Sequence, residues 1–292
     1  LMGAVGGVIS LLLISTLVTK EGKPDYLPIF LIVALVMVTA VAVLLLKIRE
    51  NPLRRQREEL ELTLEPEPDL SEAAEPGSKP APMPADVRKS LVLILLSVAF
   101  WFMGYNAVTS AFSKYAQIYW GIEGGGFANC LLVATVAAIV SYIPVGALAS
   151  KIGRKKTILG GLFIFVLAFA AYLITHILGI DALSGALIWV ALIVGGAANM
   201  FITVNTLPLV LEIGGIDKVG TYTGYYYTAT FSAQIATPII YGIVRMFTGT
   251  YLSLFYYCPI AFILSILCIL VVKHGEAIPQ EIIDKVKEEN ED

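Results

Sequence analysis

The chain has 292 residues, of which 57% are hydrophobic and only 15% charged, and its formal net charge is −3. A soluble domain must clothe itself in polar side chains and carries about a quarter charged residues, so this composition, with a mean hydropathy of +0.79, excludes an ordinary water-solvated fold. The slight acidity argues against nucleic acid as a partner.

The sequence opens at Leu1, already inside an apolar stretch, with no basic leader and no small-residue cleavage site. A signal peptide is therefore not expected, and the beginning of the protein is expected to be missing. Eight runs are long and apolar enough for a helix crossing about 30 Å of hydrocarbon. They are Leu1–Thr19, Leu27–Leu46, Ser90–Phe112, Phe127–Ala149, Thr157–Thr175, Ser184–Leu211, Val219–Val244 and Leu252–Val272. None contains Asp, Glu, Lys or Arg, each of which would cost about 2.5–3.5 kcal/mol at mid-span. The runs are apolar on every side rather than alternating, which excludes a membrane barrel. The expected fold is all-α and polytopic.

Between the second and third runs lies a polar stretch holding Pro52, Pro66, Pro68, Pro76, Pro80, Pro82 and Pro84, half of the 14 prolines. It lacks the apolar residues for a core and reads as a flexible or partly extended linker. The expected organisation is two helices over 1–47, this linker over 48–89, six helices over 90–273, and a charged tail over 274–292 with a short surface helix around 282–286. Alternating the loops and placing the linker inside puts sixteen Lys and Arg on one side and four on the other. The positive-inside rule then makes both termini cytoplasmic, as in a multi-pass plasma-membrane protein.

Several spans carry polar residues at helical spacing. In Ser90–Phe112, Trp101, Tyr105 and Thr109 share a face, with Asn106 beside it. Aromatic faces next to amides suit sugars, and the alternative reading, an interfacial aromatic girdle, fits Trp120 and Trp189 better. In Ser184–Leu211, Asn199, Thr203 and Thr206 share a face while Asn205 points elsewhere. Gly195, Gly196 and Pro208 allow a local break that frees backbone groups, or a plain hinge. In Val219–Val244, Thr223, Tyr227, Thr230, Gln234, Thr237 and Tyr241 form a narrow polar stripe expected to face the bundle. It serves either a solute or interhelical hydrogen bonds. Gly220 and Gly224 are assigned to close helix packing.

The candidate solute pathway is thus Trp101, Tyr105, Asn106, Asn199, Thr203, Thr206, Tyr227, Thr230 and Gln234. Cys130, Cys258 and Cys268 lie in apolar runs and read as packing. His176 and His274 have no second ligand at metal spacing, so neither a metal site nor a cofactor is expected. Glu212 and Arg245, at span ends, read as interface residues. A membrane-embedded enzyme would need an acid pair or a Ser–His set at depth, which the spans lack, so no enzyme is expected.

The loop Gly146-Ala-Leu-Ala-Ser-Lys-Ile-Gly-Arg-Lys-Lys156 joins the fourth and fifth spans. Small residues let the helix ends approach, and Gly153 permits a tight turn. Gly146, Leu148, Gly153, Arg154 and Lys155 resemble the G-x-L-x-D-x-x-G-R-K/R loop of the major facilitator superfamily, which occurs after helix two and again after helix eight. Ser150 stands at the acidic position, as is common in the second copy, so the acid-to-base latch does not carry over. In this register the eight spans resemble helices five to twelve of twelve, and the proline-rich stretch resembles the central loop between the two lobes. Phe100-Trp-Phe-Met-Gly-Tyr-Asn-Ala107, Asn205-Thr-Leu-Pro208, Gly220-Thr-Tyr-Thr-Gly224 and Val272-Lys-His-Gly-Glu-Ala277 together resemble the sucrose-transporter-like branch, near the glycoside–pentoside–hexuronide:cation symporters.

That resemblance implies a small-molecule solute, a sugar or glycoside, carried with H+ or Na+ across the bilayer. The gating loop would be Gly146, Ser150, Gly153, Arg154 and Lys155. No acid lies inside the spans, so a coupling carboxylate is expected in helices absent from this sequence, and the chain alone is expected not to transport. The rival readings are a drug or lipid efflux antiporter and a non-transporting membrane receptor or structural protein.

Overall fold

A computed structural model describes residues 2–18, 25–47, 84–214 and 219–273. Among them are eight α-helices and no strand: α1 (Met2–Leu17), α2 (Leu27–Lys47), α3 (Ala85–Trp120), α4 (Phe127–Ile152), α5 (Arg154–Ile177), α6 (Asp181–Gly214), α7 (Val219–Thr248) and α8 (Leu254–Val271). The linker over 48–83 and the tail after Lys273, with its expected surface helix, lie outside the described residues.

Helix boundaries follow local chemistry. Asp25 accepts a hydrogen bond from the Leu27 amide at 2.9 Å and starts α2, where Pro28 costs no backbone bond in the first turn. Residues 25–83 form a unit of their own, and α2 is its described helix. The third helix starts at Ala85, inside the stretch expected to be linker, because Pro84 is the last proline and Asp86 complements the first turn. It ends at Gly121, whose φ of 63° is the left-handed cap. Its 36 residues span about 54 Å, well beyond the hydrocarbon thickness.

Six segments are long and apolar enough to cross a membrane: α2, α3, α4, α5, Leu187–Ile213 of α6, and Tyr251–Val271. Two of the eight expected spans fall short of that description. The apolar part of α1, Val5–Leu17, is short. The other is α7, which has 30 residues but dilutes its apolar ones with Thr, Tyr, Ser and Gln.

The helices α3 to α8 form one lobe with α1 on its flank. Within it, α3 packs against α7 and α8, α6 packs against α4 and α5, and α5 touches α8. Exchanging α3–α5 for α6–α8 leaves this set of neighbours unchanged, so the lobe is two triplets of helices. Arg154 at the start of α5 meets Glu212 at the end of α6. Ser97 near the start of α3 meets Ser265 near the end of α8. The triplets therefore run in opposite senses, an inverted repeat.

The core combines large apolar side chains with close backbone approach. Trp101, Tyr115, Phe262, Ile94, Ile158, Leu162 and Ile202 are fully enclosed. A methyl added at Gly104 would fall 2.5 Å from the Phe262 ring, and one at Gly196 would collide with the Ala134 carbonyl. These glycines let α8 reach α3 and α4 reach α6. By contrast, Gly146, Gly220 and Gly224 face open space. The expectation that they serve close packing is thus corrected: with nothing opposite them among the described residues, they bring no described helices together.

Of the two readings of the sixth span, a local break or a plain hinge, the break is not seen. From Asp181 to Gly214 α6 is continuous through Gly195, Gly196 and Pro208. Gly196 serves packing, and only the amide that Pro208 lacks interrupts the hydrogen-bond ladder.

Candidate functional site

Two places in the lobe gather polar and special residues: the end holding the basic loop, and an internal cavity.

At the basic loop, Gly153 is the single residue between α4 and α5. Its φ of 92° and ψ of 152° are open to glycine and strained for other residues. The reversal projects Arg154 and Lys155 toward two different helix ends. Arg154 Nε donates to Glu212 Oε1 at 2.5 Å, the side chains being 32% and 22% exposed. Lys155 Nζ donates to the Val272 carbonyl at 2.5 Å, satisfying an acceptor left open just beyond α8. Ser150 is exposed and hydrogen-bonds only within its own helix, to the Ala147 carbonyl at 2.8 Å. The loop therefore staples the ends of α4, α5, α6 and α8 together. Glu212, read from sequence as an interface residue, is the acid that Arg154 uses.

The cavity, of about 120 Å³, lies inside the lobe between α3, α4, α5, α6 and α8. One wall is aromatic: Phe165 stacks on Phe262 with centroids 4.9 Å apart, and Phe169 and Tyr172 lie on Phe255 at 5.5 and 4.3 Å. The lining from α4 and α6 mixes small and large residues: Leu131, Ala134 and Ala138 from α4, with Ile188, Ala191, Leu192, Gly195 and Gly196 from α6. Its few polar members are Tyr105, Thr109, Tyr172 and Asn199.

Of the pathway residues read from sequence, the cavity brings together Tyr105 and Asn199. Trp101 lies behind Tyr105, the two rings 5.8 Å apart and stacked. Trp101 Nε1 and Asn106 Nδ2 are buried and have no hydrogen-bond partner among the described residues. Each such orphan costs about 1–3 kcal/mol.

The other candidates go elsewhere. Thr203 is exposed and donates to the Asn199 carbonyl at 2.7 Å, whereas Thr206 is buried and bonded to the Tyr226 hydroxyl at 3.2 Å. The three residues expected on one face of α6 are therefore divided.

The stripe on α7 is divided too. Its buried face is Tyr222, Tyr226, Thr230, Ala233, Thr237 and Tyr241. Gln234 is exposed, and so is Tyr227, at 44%. Three tyrosines and small Ala233 lie on it, so the buried face centres nearer Ala233 than Gln234, which lies about 100° further round the helix.

Sequence reasoning missed the aromatic wall. Its signal was present in Phe165, Phe169 and Tyr172, spaced four and three, and in Phe255 and Phe262, spaced seven. In a chain so rich in apolar residues this spacing does not stand out.

Continuous helices, an inverted triplet repeat and a cavity reached by polar groups define a multi-pass membrane protein of the transporter class. The profile of the Major Facilitator Superfamily matches residues 1–238 and again 120–285. The chain belongs to the Major Facilitator Superfamily. A comparison with curated proteins gave no match.

Proposed function

We propose that the protein is a secondary active transporter of a sugar or glycoside, driven by a proton or sodium gradient. On this reading α3 to α8 are the C-terminal lobe, helices seven to twelve, α1 and α2 belong to the other lobe, and the basic loop faces the cytoplasm. The lobes would rock about a central site. The observation that supports a hydroxyl-rich solute is the stretch Trp101–Asn106 of α3. There, two buried donors lacking acceptors flank an aromatic ring that lines the cavity. Sugar hydroxyls accept hydrogen bonds, and sugar ring CH faces lie on aromatic rings. The resemblance to the sucrose-transporter-like branch points the same way.

The test is uptake of radiolabelled sugars and glycosides into proteoliposomes holding the protein, with any coding sequence upstream of Leu1 included. The expected result is saturable uptake that rises when an inward H+ or Na+ gradient is imposed. Uptake indifferent to both gradients would remove the coupling, and preferential export of apolar dyes would establish the efflux reading instead. The near-absence of polar groups from most of the cavity wall is the one observation that favours efflux.

A further inference from the structure

We infer that the exposed half of the α7 stripe is a sugar-binding platform, on which the rings of Tyr227 and Phe231 and the amide of Gln234 hold a pyranose at mid-membrane. The nature of the solute rests on the proposed function.

The outer surface of the lobe is not uniform. Every exposed residue of α5 over 160–174 and of α8 over 260–271 is apolar, Phe163, Leu167, Ile260 and Leu267 among them. Those faces suit lipid. On α7 the pattern changes along the helix. From Thr221 to Gln234 its exposed residues include Thr221, Tyr225, Tyr227, Thr228, Ser232 and Gln234. From Ile235 to Ile243 they are isoleucines, one proline and one glycine. The change falls at the middle of α7, which runs Val219–Thr248. Polar groups turned to hydrocarbon without partners are costly, so the first half of α7 faces water or a polar occupant. That half begins at the end of the lobe that holds the basic loop. There Arg154 meets Glu212 near the end of α6, and α7 starts shortly after, at Val219. The polar surface is thus a half-path that enters from the basic end and stops at mid-helix.

Its floor carries the groups that recognise a sugar. Tyr227 and Phe231 stack on each other, centroids 5.5 Å apart and planes 20° from parallel, and are 44% and 54% exposed. Gln234 follows at the next turn of the same face, is exposed, and makes no hydrogen bond among the described residues. An amide offers both a donor and an acceptor to a hydroxyl pair, and a ring offers an apolar plate to the CH side of a pyranose. Gly220 and Gly224 share the face one and two turns before the rings, with open space around them. They leave a recess on the approach to Tyr227. A neighbouring helix seated there needs small residues along its whole contact, whereas two large rings stand out from this one.

Two measurements test this, on protein that includes any coding sequence upstream of Leu1. In the first, Gly224→Cys is exposed to a charged methanethiosulfonate reagent in proteoliposomes, with the unaltered protein as baseline. The expected result is labelling, slowed at least about fivefold by the accepted sugar at saturation. No labelling, as when a helix covers the face, or labelling indifferent to sugar, overturns the platform.

In the second, binding of radiolabelled methyl β-glycosides of glucose, galactose and xylose is measured. Gln234→Ala and Tyr227→Leu are each expected to weaken binding of the accepted compound about tenfold with an unchanged melting temperature, and Tyr227→Phe to keep most of the affinity. Unchanged affinity in Gln234→Ala or Tyr227→Leu overturns the platform and leaves the proposed function standing. A loss of affinity matched by a loss of melting temperature marks a structural role and also overturns it. No binding of any of the three compounds by the unaltered protein overturns the proposed sugar specificity and this assignment with it.

Discussion

The lobe depends on a few positions where a side chain larger than hydrogen has no room. Gly196 is the sharpest, because the Ala134 backbone carbonyl of the neighbouring helix occupies the direction a Cβ would take. Backbone yields less readily than a side chain, so Gly196→Val should destabilise the lobe by about 1–3 kcal/mol or more. Gly224→Ala, with open space around it, should change stability by no more than about 0.5 kcal/mol. Thermal unfolding of the two variants in one detergent checks the contrast. Sequence alone could not have ranked these glycines, since Gly196 and Gly224 both lie inside uncharged spans and the packed neighbour decides. It did mark Gly153 correctly as the pivot of a tight turn, because a glycine followed by three basic residues between two apolar runs has few other uses.

Among the elements, α5 and α7 show what periodicity can and cannot tell. The uncharged stretches located every described helix, because a bilayer punishes charge so heavily that span edges are written in the sequence. The edges themselves moved, as at Ala85, where a first-turn acid and the end of the proline run extended α3 backwards. Which face turns inward was less legible. On α7 the polar stripe sat partly off the buried face, which holds Tyr222, Tyr226 and Ala233 beside Thr230, Thr237 and Tyr241. The buried Thr206–Tyr226 hydrogen bond between α6 and α7 is the part of that stripe's surroundings open to a stability test. Tyr226→Phe should cost about 1 kcal/mol, whereas Gln234→Ala on the exposed side should be close to neutral for stability, by the same unfolding assay. At the start of α5, Arg154→Ala leaves Glu212 without its guanidinium. The pair is partly exposed, so the expected loss is about 1 kcal/mol and should shrink in high salt. A melting comparison of Arg154→Ala with the unaltered chain, at low and high ionic strength, reads both the loss and its screening.

For the molecule as a whole, the antiparallel run of α3 to α8 fixes which loops share an end. Glu123, between α3 and α4, and Lys151, at the end of α4, are both exposed and at opposite ends of one helix. Cysteines placed at these two positions should react with a membrane-impermeant maleimide from opposite faces of the membrane, with Lys151→Cys labelled only once the cytoplasmic face is opened. Labelling of both from one face would refute a membrane-crossing α4. The all-helical class was plain from composition and the superfamily from one loop and the order of spans. The cavity was not legible, because it arises from what several helices fail to fill, and no single residue announces a gap.

The inverted triplets carry one more consequence. A lobe that maps onto itself by a half-turn has no built-in preference for the side on which it swings open. What distinguishes its two ends must then come from the side chains placed there. Here the difference is chemical. One end is fastened by ions, Arg154 to Glu212 and Lys155 to a carbonyl. The other is fastened by hydroxyls and rings, Tyr115 to Tyr172, Tyr119 to Thr250, and Arg245 over Tyr251. Dissolved salt weakens the first kind of fastener far more than the second. Raising the ionic strength should therefore loosen this lobe first at the end that Gly153 turns.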